Sequence, residues 1–512
     1  MIKRSEIPMP LANLTRSSLA IKQFLSQVDW LLVAAFGFPL GLYWLTAAPT
    51  IYNLDSAEFT TAVATNGLIR ATGYPLYLLL GKIWSWLPLS GDMGYRMNLF
   101  SAFLGALTIL QADIILRRLK VGPWLRLGAL GLLATAPYFW AMSLIAEVYT
   151  LHTALMAGII LTLMRWADEP SPLRLALPIF LMTVSLGNHM ATVLLVPGAV
   201  WYVLTSHPAQ LKNWRVWAAA GTAVFLGLTI FLILPLRYAS QPVFNYAGEF
   251  DAGGVFHPVN LMSFSGVYWL VTGQSFSGQM FGYQLYEVWP QTAAYGVQLW
   301  TSFLAIGIGP GLLGLVMLTR RNWRLSGLLL LIFLANAIFY INYRVVDKDT
   351  MYLPTYFIWA IWVGIGYQQL LNWLGNQAQP LITPRFIRFV AVGAVVLAIA
   401  LNWTLVDRSN DWSTREMAET ILAEAEPNAL VLGWWDTVPA VQYLQLVEGQ
   451  RPDVQAVNRF LIKGEAMEQL IMDQIDDRPV YINNPSMMLL QQTTATPLGP
   501  MYKLERRVEA NP

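Results

Sequence analysis

The chain has 512 residues, of which 56% are hydrophobic, 12% charged and 13% aromatic, with a formal net charge of +2 and no cysteine. A soluble domain carries about 25% charged residues, so this composition excludes a soluble globular enzyme and a disordered chain and points to a multi-pass membrane protein. The near-neutral balance offers no polybasic surface and speaks against a nucleic-acid partner. The lack of cysteine excludes disulfides and thiolate chemistry.

Residues 1–29 precede the first apolar run, and Leu14, Ile21, Phe24, Leu25 and Val28 recur there at helical spacing. This predicts an amphipathic helix on the cytoplasmic surface. No cleavable signal is evident, so the first apolar segment stays as an anchor. Residues 30–406 read as a transmembrane module of about eleven helices. The segments are 30–48, 96–116, 124–142, 144–166, 173–186, 189–205, 216–236, 297–318, 325–342, 352–374 and 386–406. A spanning helix needs about 20 mostly apolar residues. The fifth and sixth are short and separated by Gly187 and Asn188, which reads as a tight helical hairpin.

With a cytoplasmic N-terminus, eleven spans place 17 Lys and Arg inside and 6 in the outer loops before the tail, and positive charge collects on the cytoplasmic side. The run 74–89 is apolar enough to be a twelfth span, but that would turn the basic clusters after Leu116 outward. It therefore reads as a helix on the outer membrane surface, with Lys82 in its middle. Two outer loops are long, 49–95 and 237–296, and loops of that length usually carry function. Residues 407–512 hold alternating strand-like and helical stretches: strands at 428–434, 454–458 and 480–483, helices at 438–447 and 465–475. They predict a small soluble α/β domain, placed outside by the odd span count.

Charged residues at membrane level are costly and usually face a cavity. The first loop opens Asn53-Leu54-Asp55-Ser56-Ala57-Glu58-Phe59, which puts Asp55 and Glu58 three apart on one helix face. Such a carboxylate can take a proton from a hydroxyl; two together could hold a divalent cation such as Mg or Mn. The plainer reading, that Asp55 caps the helix and Glu58 completes a capping pattern, carries somewhat more weight on the motif alone. Glu147 either marks a solvated turn or joins the site. His189 is more often structural than catalytic, though it can donate to a phosphate or sugar. Arg237 and Arg344 end spans and suit phosphate recognition, or they snorkel to headgroups. Asp347-Lys348-Asp349 is a D-x-D too common to imply metal and nucleotide. No P-loop, G-x-G-x-x-G, H-E-x-x-H or G-x-S-x-G occurs, so ATP-driven transport and common hydrolase chemistry get no support.

Several of these stretches together resemble a known family. The sequence resembles the bacterial relatives of the animal transmembrane protein O-mannosyltransferases, within the GT-C superfamily of integral-membrane glycosyltransferases. Leu54-Asp55-Ser56-Ala57-Glu58-Phe59 is similar to the family's D-S-G-E-F/L, Gly73-Tyr74-Pro75-Leu76-Tyr77 to its P-G-Y-P-L-Y, and Arg96-Met97-Asn98-Leu99 to its R-x-N-L. Ala146-Glu147-Val148-Tyr149, Gly187-Asn188-His189, Leu234-Pro235-Leu236-Arg237 and Asp347 with Leu353-Pro354 also fit, as do Tyr443-Leu444-Gln445 and Gly449-Gln450-Arg451-Pro452-Asp453-Val454 in the tail. Ala57 replaces the usual glycine, Arg70-Ala71-Thr72 stands where a His/Pro-rich stretch is common, and Asn245-Tyr246-Ala247-Gly248 replaces an N-W-G-D-like segment.

The resemblance implies a polyprenyl-phosphate sugar donor, such as a mannose donor, and an acidic base that transfers to Asp55. The expected function is an outward-facing glycosyltransferase of the plasma membrane, inverting, with a protein or glycan hydroxyl as acceptor. Arg237 and Arg344, with Arg96 as the next candidate, are expected to hold the phosphate. Tyr74, Glu147, His189 and Asp347 are expected at the substrate, and the tail is expected to recognise acceptor. Two other classes stand as alternatives: a transporter or flippase of lipid-linked sugars, and a non-catalytic assembly factor. The polar residues gather at the outer edge and no repeat is visible, whereas transporters bind near the midplane between repeats.

Overall fold

The computed structural model describes residues 30–375 and 383–507; the expected amphipathic helix within 1–29 lies outside them. The first apolar run forms α1 (Trp30–Thr46). The first loop folds into α2 (Asp55–Thr65) and α3 (Pro75–Ser85). At about 1.5 Å per residue, the 11 residues of α3 are too short to cross a bilayer, as the charge pattern required. α4 (Met93–Arg118) is the longest helix, at 26 residues.

Two expected single helices are broken. The segment 124–142 is α5 (Pro123–Ala134) followed by α6 (Pro137–Met142), because Pro137 lacks an N–H and drives Ala136 to an extended backbone. After α7 (Val148–Asp168) and α8 (Pro172–Ser185), the chain passes through a 3₁₀ turn into α9 (Val196–Ser206). α8 lies against α7 and against α10 (Trp214–Leu228), while α9 lies against a later helix, α15 (Trp323–Ile341). The expected tight hairpin is therefore splayed open. α10 continues through a 3₁₀ turn into α11 (Ile233–Ala239).

The second loop holds a two-stranded antiparallel ribbon, β1 (Gly248–Phe250) with β2 (Phe256–Pro258), and a short helix α12 (Phe264–Val271). The segment 297–318 also breaks, into α13 (Leu285–Ser302) and α14 (Ile308–Arg321). Leu304 and Ala305 take left-handed backbone there, with φ 50° and 60°. α14 packs on α16 (Leu353–Gly375). A Cβ on Gly314 would sit 1.8 Å from the Trp362 carbonyl oxygen and one on Gly366 1.9 Å from that of Pro310. Small residues thus let these two backbones touch, as membrane helices do where no hydrophobic drive acts between them. α17 (Pro384–Val406) closes the bundle.

Among the described residues, five helical stretches are long and apolar enough to cross a membrane, and four shorter apolar helices accompany them. The protein is a mostly helical multi-pass membrane protein. At the end of α4 that carries residues 117 and 118, Asp113 is buried and ion-paired to Arg126 at 2.6 Å and Arg117 at 2.5 Å.

The tail begins with α18 (Ser413–Glu424) and contains one sheet. Its order is β4 (Gln455–Asn458), β3 (Leu430–Gly433), β5 (Val480–Ile482), β7 (Met501–Arg506), β6 (Thr493–Leu498). β3 is parallel to β4 and β5, joined through α19 (Val438–Leu446) and α20 (Gly464–Gln474). These match the expected alternation; the β6–β7 hairpin is an addition. α19 packs on α2, and Ile51 and Ala57 share a buried cluster with Ala418, Val441 and Leu444. Arg415 adds ion pairs to Asp92 of the first loop and to Glu448.

Candidate active site at the bundle–tail junction

α2 starts abruptly after Leu54, whose φ of 55° is rare for a branched residue, and such strain collects at functional sites. Asp55 is the first helical residue, and neither it nor Glu58 makes a capping bond; the N-cap Leu54 has no side-chain cap. Both carboxylates instead turn to Arg70. Nη2 of Arg70 donates to Oδ1 and Oδ2 of Asp55 at 2.7 and 2.9 Å. Nη1 donates to Oε2 of Glu58 at 2.6 Å, and the Arg70 backbone N–H donates to Oε1 at 3.2 Å. The capping reading is thus replaced by one half-buried cation held between two acids.

Burial sets the electrostatics of this cluster. The Glu58 side chain is 1% exposed. Burial pushes its carboxyl up to about 8, Arg70 pulls it down by less, and Asp55 pushes it up again. Burial works against the Arg70 charge, but the two carboxylates more than offset it and hold the guanidinium above its ordinary value.

Asp55 and Arg70 open onto a cavity of about 280 Å³. Tyr74, His189 and Asp347 line it too, as do Tyr149 and Tyr343. Tyr74 leads into α3 with φ 44° and packs edge-on against His189, ring centroids 6.2 Å apart. His189 Nδ1 accepts from the Ala191 N–H at 3.1 Å; in the neutral ring this leaves Nε2 as the N–H donor. The Asp347 carboxyl is raised by burial first and then by the Asp55 charge, so the two acids face one another electrostatically.

The other expected residues lie outside this cavity wall. Glu147 is buried at the start of α7, its Oε2 accepting from the Val148 N–H at 3.2 Å. Arg237 donates through Nη1 to the Gly67 carbonyl at 2.7 Å. Arg344 lies between the wall residues Tyr343 and Val345 but pairs with Glu287 at 3.7 Å, its side chain 57% exposed. Arg96 follows the N-cap of α4, and its backbone carbonyl accepts from the Trp84 indole at 2.8 Å. Among the described residues, Arg70 is the one Lys or Arg of the wall.

Sequence reasoning passed over Arg70 as a replacement in a loop, since nothing in its spacing from Glu58 marks a partner. Trp435 was missed as well: this tail residue stacks on the Arg70 guanidinium at 4.0 Å. A divalent cation does not fit this pair of acids, because Arg70 already bonds both carboxylates; among the described residues no cluster of three metal-ligating side chains occurs.

Comparison with known proteins adds the following. Residues 55–212 match the family model described as the protein O-mannosyl-transferase TMEM260 N-terminal domain. The protein O-mannosyl-transferase tmem260 of Dictyostelium discoideum is 21% identical, covering 86% of this chain and 62% of that relative. TMEM260 of Mus musculus is 29% identical over 26% of this chain and 18% of that protein. The chain thus spans less than two thirds of the length of these relatives.

Among solved structures, ArnT from Cupriavidus metallidurans bound to undecaprenyl phosphate aligns with a TM-score of 0.56 at 11% identity, covering 94% of this chain and 99% of that one. The Archaeoglobus fulgidus oligosaccharyltransferase aligns with a TM-score of 0.54 at 12% identity, covering 88% of this chain and 69% of that one. The chain is a mostly helical membrane protein that shares the fold of these two structures and is similar in sequence to the TMEM260 protein O-mannosyl-transferases.

Proposed function

We propose that this protein is a membrane glycosyltransferase that moves a sugar, mannose by its relatives' name, from a polyprenyl-phosphate donor to a hydroxyl of a protein acceptor. The observation that carries this reading is the Asp55–Arg70–Glu58 cluster, whose Asp55 and Arg70 open onto the cavity. The ArnT structure, which shares the fold and holds undecaprenyl phosphate, supports a polyprenyl-linked donor. The orientation read from basic residues puts the site on the extracytoplasmic side, where the tail also lies, in the plasma membrane.

In the proposed reaction Asp55 takes the proton of the acceptor hydroxyl. The oxygen forms a bond to the anomeric carbon as the bond from that carbon to the phosphate oxygen breaks, and the configuration inverts. The polyprenyl phosphate leaves with the bonding electron pair. Arg70 aims Asp55 through two hydrogen bonds, and its charge faces the leaving phosphate. This moves the phosphate contact from Arg237 and Arg344 to Arg70. Nε2 of His189 and the hydroxyls of Tyr74 and Tyr149 stand ready for sugar or phosphate oxygens.

The test uses the purified full chain in nanodiscs with radiolabelled polyprenyl-phosphate mannose and a Ser/Thr-rich acceptor. A general base contributes about 10²–10⁴-fold, so Asp55→Asn is expected to cut transfer by that factor while donor still binds. Near-parental transfer by Asp55→Asn would remove Asp55 from the chemistry. Donor binding without transfer by the parent favours the transporter reading.

A further inference from the structure

A second cavity, of about 600 Å³, lies between the second loop and the tail. Its wall differs from that of the Asp55 cavity in having no Lys, Arg, Asp, Glu or His. Aromatic rings, Phe244, Tyr246 and Phe256 among them, alternate with the primary amides of Gln241, Gln442 and Asn458. Gln241 offers a donor and an acceptor, the complement of a peptide unit, while Gln442 is held by the Tyr246 hydroxyl and the Ala456 carbonyl and Asn458 Oδ1 by the Phe460 N–H. Asn458 is 1% exposed, and its Nδ2 is directed at the Tyr246 hydroxyl without closing a full hydrogen bond. A buried amide left without a full hydrogen bond costs on the order of one, so this one is poised for a ligand.

The cavity also has a strand edge. Phe256 and Pro258 of β2 line it, and β2 pairs within its two-stranded sheet with β1 alone. An open strand edge takes an extended polypeptide, whose main chain can continue the ladder; a sugar ring cannot. The cavity is joined to the Asp55 site by a layer of rings. Tyr246 packs on Trp435 with centroids 5.3 Å apart, and Trp435 stacks on Arg70.

We infer that this cavity is the acceptor port, taking an uncharged, extended polypeptide segment whose Ser or Thr hydroxyl reaches past Trp435 toward Asp55. The inference rests on the reading of Asp55 as the transfer site. Tyr246 and Asn458 are positioning residues for the acceptor. The wall selects for neutrality, because a charged side chain placed there would lose its hydration without an ionic partner.

The probe is a synthetic Ser/Thr-rich peptide of zero net charge bearing a benzophenone, used with the full-length protein in nanodiscs. Crosslinking reads binding without any turnover, so it stands apart from the transfer reading. In the parent, the crosslink is expected within 241–262 or at 442 and 458. Val243 lies on the wall and is 76% exposed, so Val243→Trp can fill the port without disturbing the core, and it should abolish the crosslink. Where transfer is measurable, Tyr246→Phe should raise the peptide KM about three- to tenfold, one neutral hydrogen bond, with the donor KM unchanged. A peptide of the same length carrying two Asp residues should crosslink poorly. The inference is overturned if Val243→Trp leaves the crosslink intact, if the acidic peptide binds equally, or if mannose oligosaccharide rather than neutral peptide competes the probe away. Intact crosslinking with no transfer from any polyprenyl-phosphate sugar would leave the port standing and sink the transfer reading instead.

Discussion

Replacing Arg70 by Met tests the central cluster most directly, because the side chain keeps much of its length and loses its charge. Arg70 donates three side-chain bonds to carboxylates, between 2.6 and 2.9 Å. The three side chains are 19%, 14% and 1% exposed, so water screens them little. Breaking a buried pair by removing one partner costs about 3–5 kcal/mol. Glu58 modulates this cost. Its carboxyl is already pushed up to about 8, and without Arg70 it holds its proton to higher pH still, so at pH 6.5 it adds no stranded charge. The loss should therefore lie near the lower end, about 3 kcal/mol, at pH 6.5 and climb toward about 5 kcal/mol at pH 9. Thermal unfolding of the purified protein in nanodiscs at both pH values reads it as a drop of several degrees. The double variant Arg70→Met, Glu58→Gln should regain only the pH-dependent part, about 2 kcal/mol at pH 9, and none of the transfer. If Arg70→Met melts like the parent at both pH values, the cluster holds nothing together and the account of the site fails.

Other outcomes follow from the same geometry. Below pH 8 a protonated Glu58 leaves the Asp55–Arg70–Glu58 cluster neutral, and above it the cluster is net negative; donor affinity should fall as pH rises through about 8, and Glu58→Gln should flatten that fall. By linkage, the stability Glu58 contributes is full below its unfolded value near 4.5 and lost as pH rises through about 8. Arg237→Ala should destabilise the loop at Gly67, a charged hydrogen bond worth about 1.5–3 kcal/mol, yet leave donor affinity within about twofold; a tenfold loss in a donor-binding titration would return the phosphate to Arg237. Fusing a reporter active only outside the membrane after Val406 should give activity, and a silent, full-length fusion would invert the proposed orientation.

The legible parts of this protein are those whose signal is local. Apolar length marks α4, α7 and α15, and the β3–α19–β4–α20–β5 alternation shows in the tail because its parallel strands are short apolar runs. Pro137 at least carries a local signal for its break, although apolar length reads 124–142 as one span. The turn between α13 and α14 carries none, because Leu304 and Ala305 adopt left-handed backbone without a glycine at either position. In the site, Asp55 and Glu58 stand out by spacing on one helix face. Their partner Arg70 is brought back by the loop 66–74, and Trp435 by the docking of a domain more than three hundred residues later. No periodicity encodes such pairings, so the acids were legible and the cation between them was not.

The double burial of α2 bears on how the protein can be assembled and recombined. One face, at Phe59, Ala62 and Val63, belongs to the core of the bundle, while Ala57 belongs to the core of the tail. The stretch matching the family model, residues 55–212, therefore holds the acids without the surface that seats them. During synthesis the site stays unfinished until α18, α19 and Trp435 have emerged and closed over it. A chimera that joins this bundle to a relative's tail inherits a mismatched seam unless the residues at 51, 57, 418, 441 and 444 travel as a set. Exchange of acceptor specificity between relatives should then leave a record of paired changes on α2 and α19.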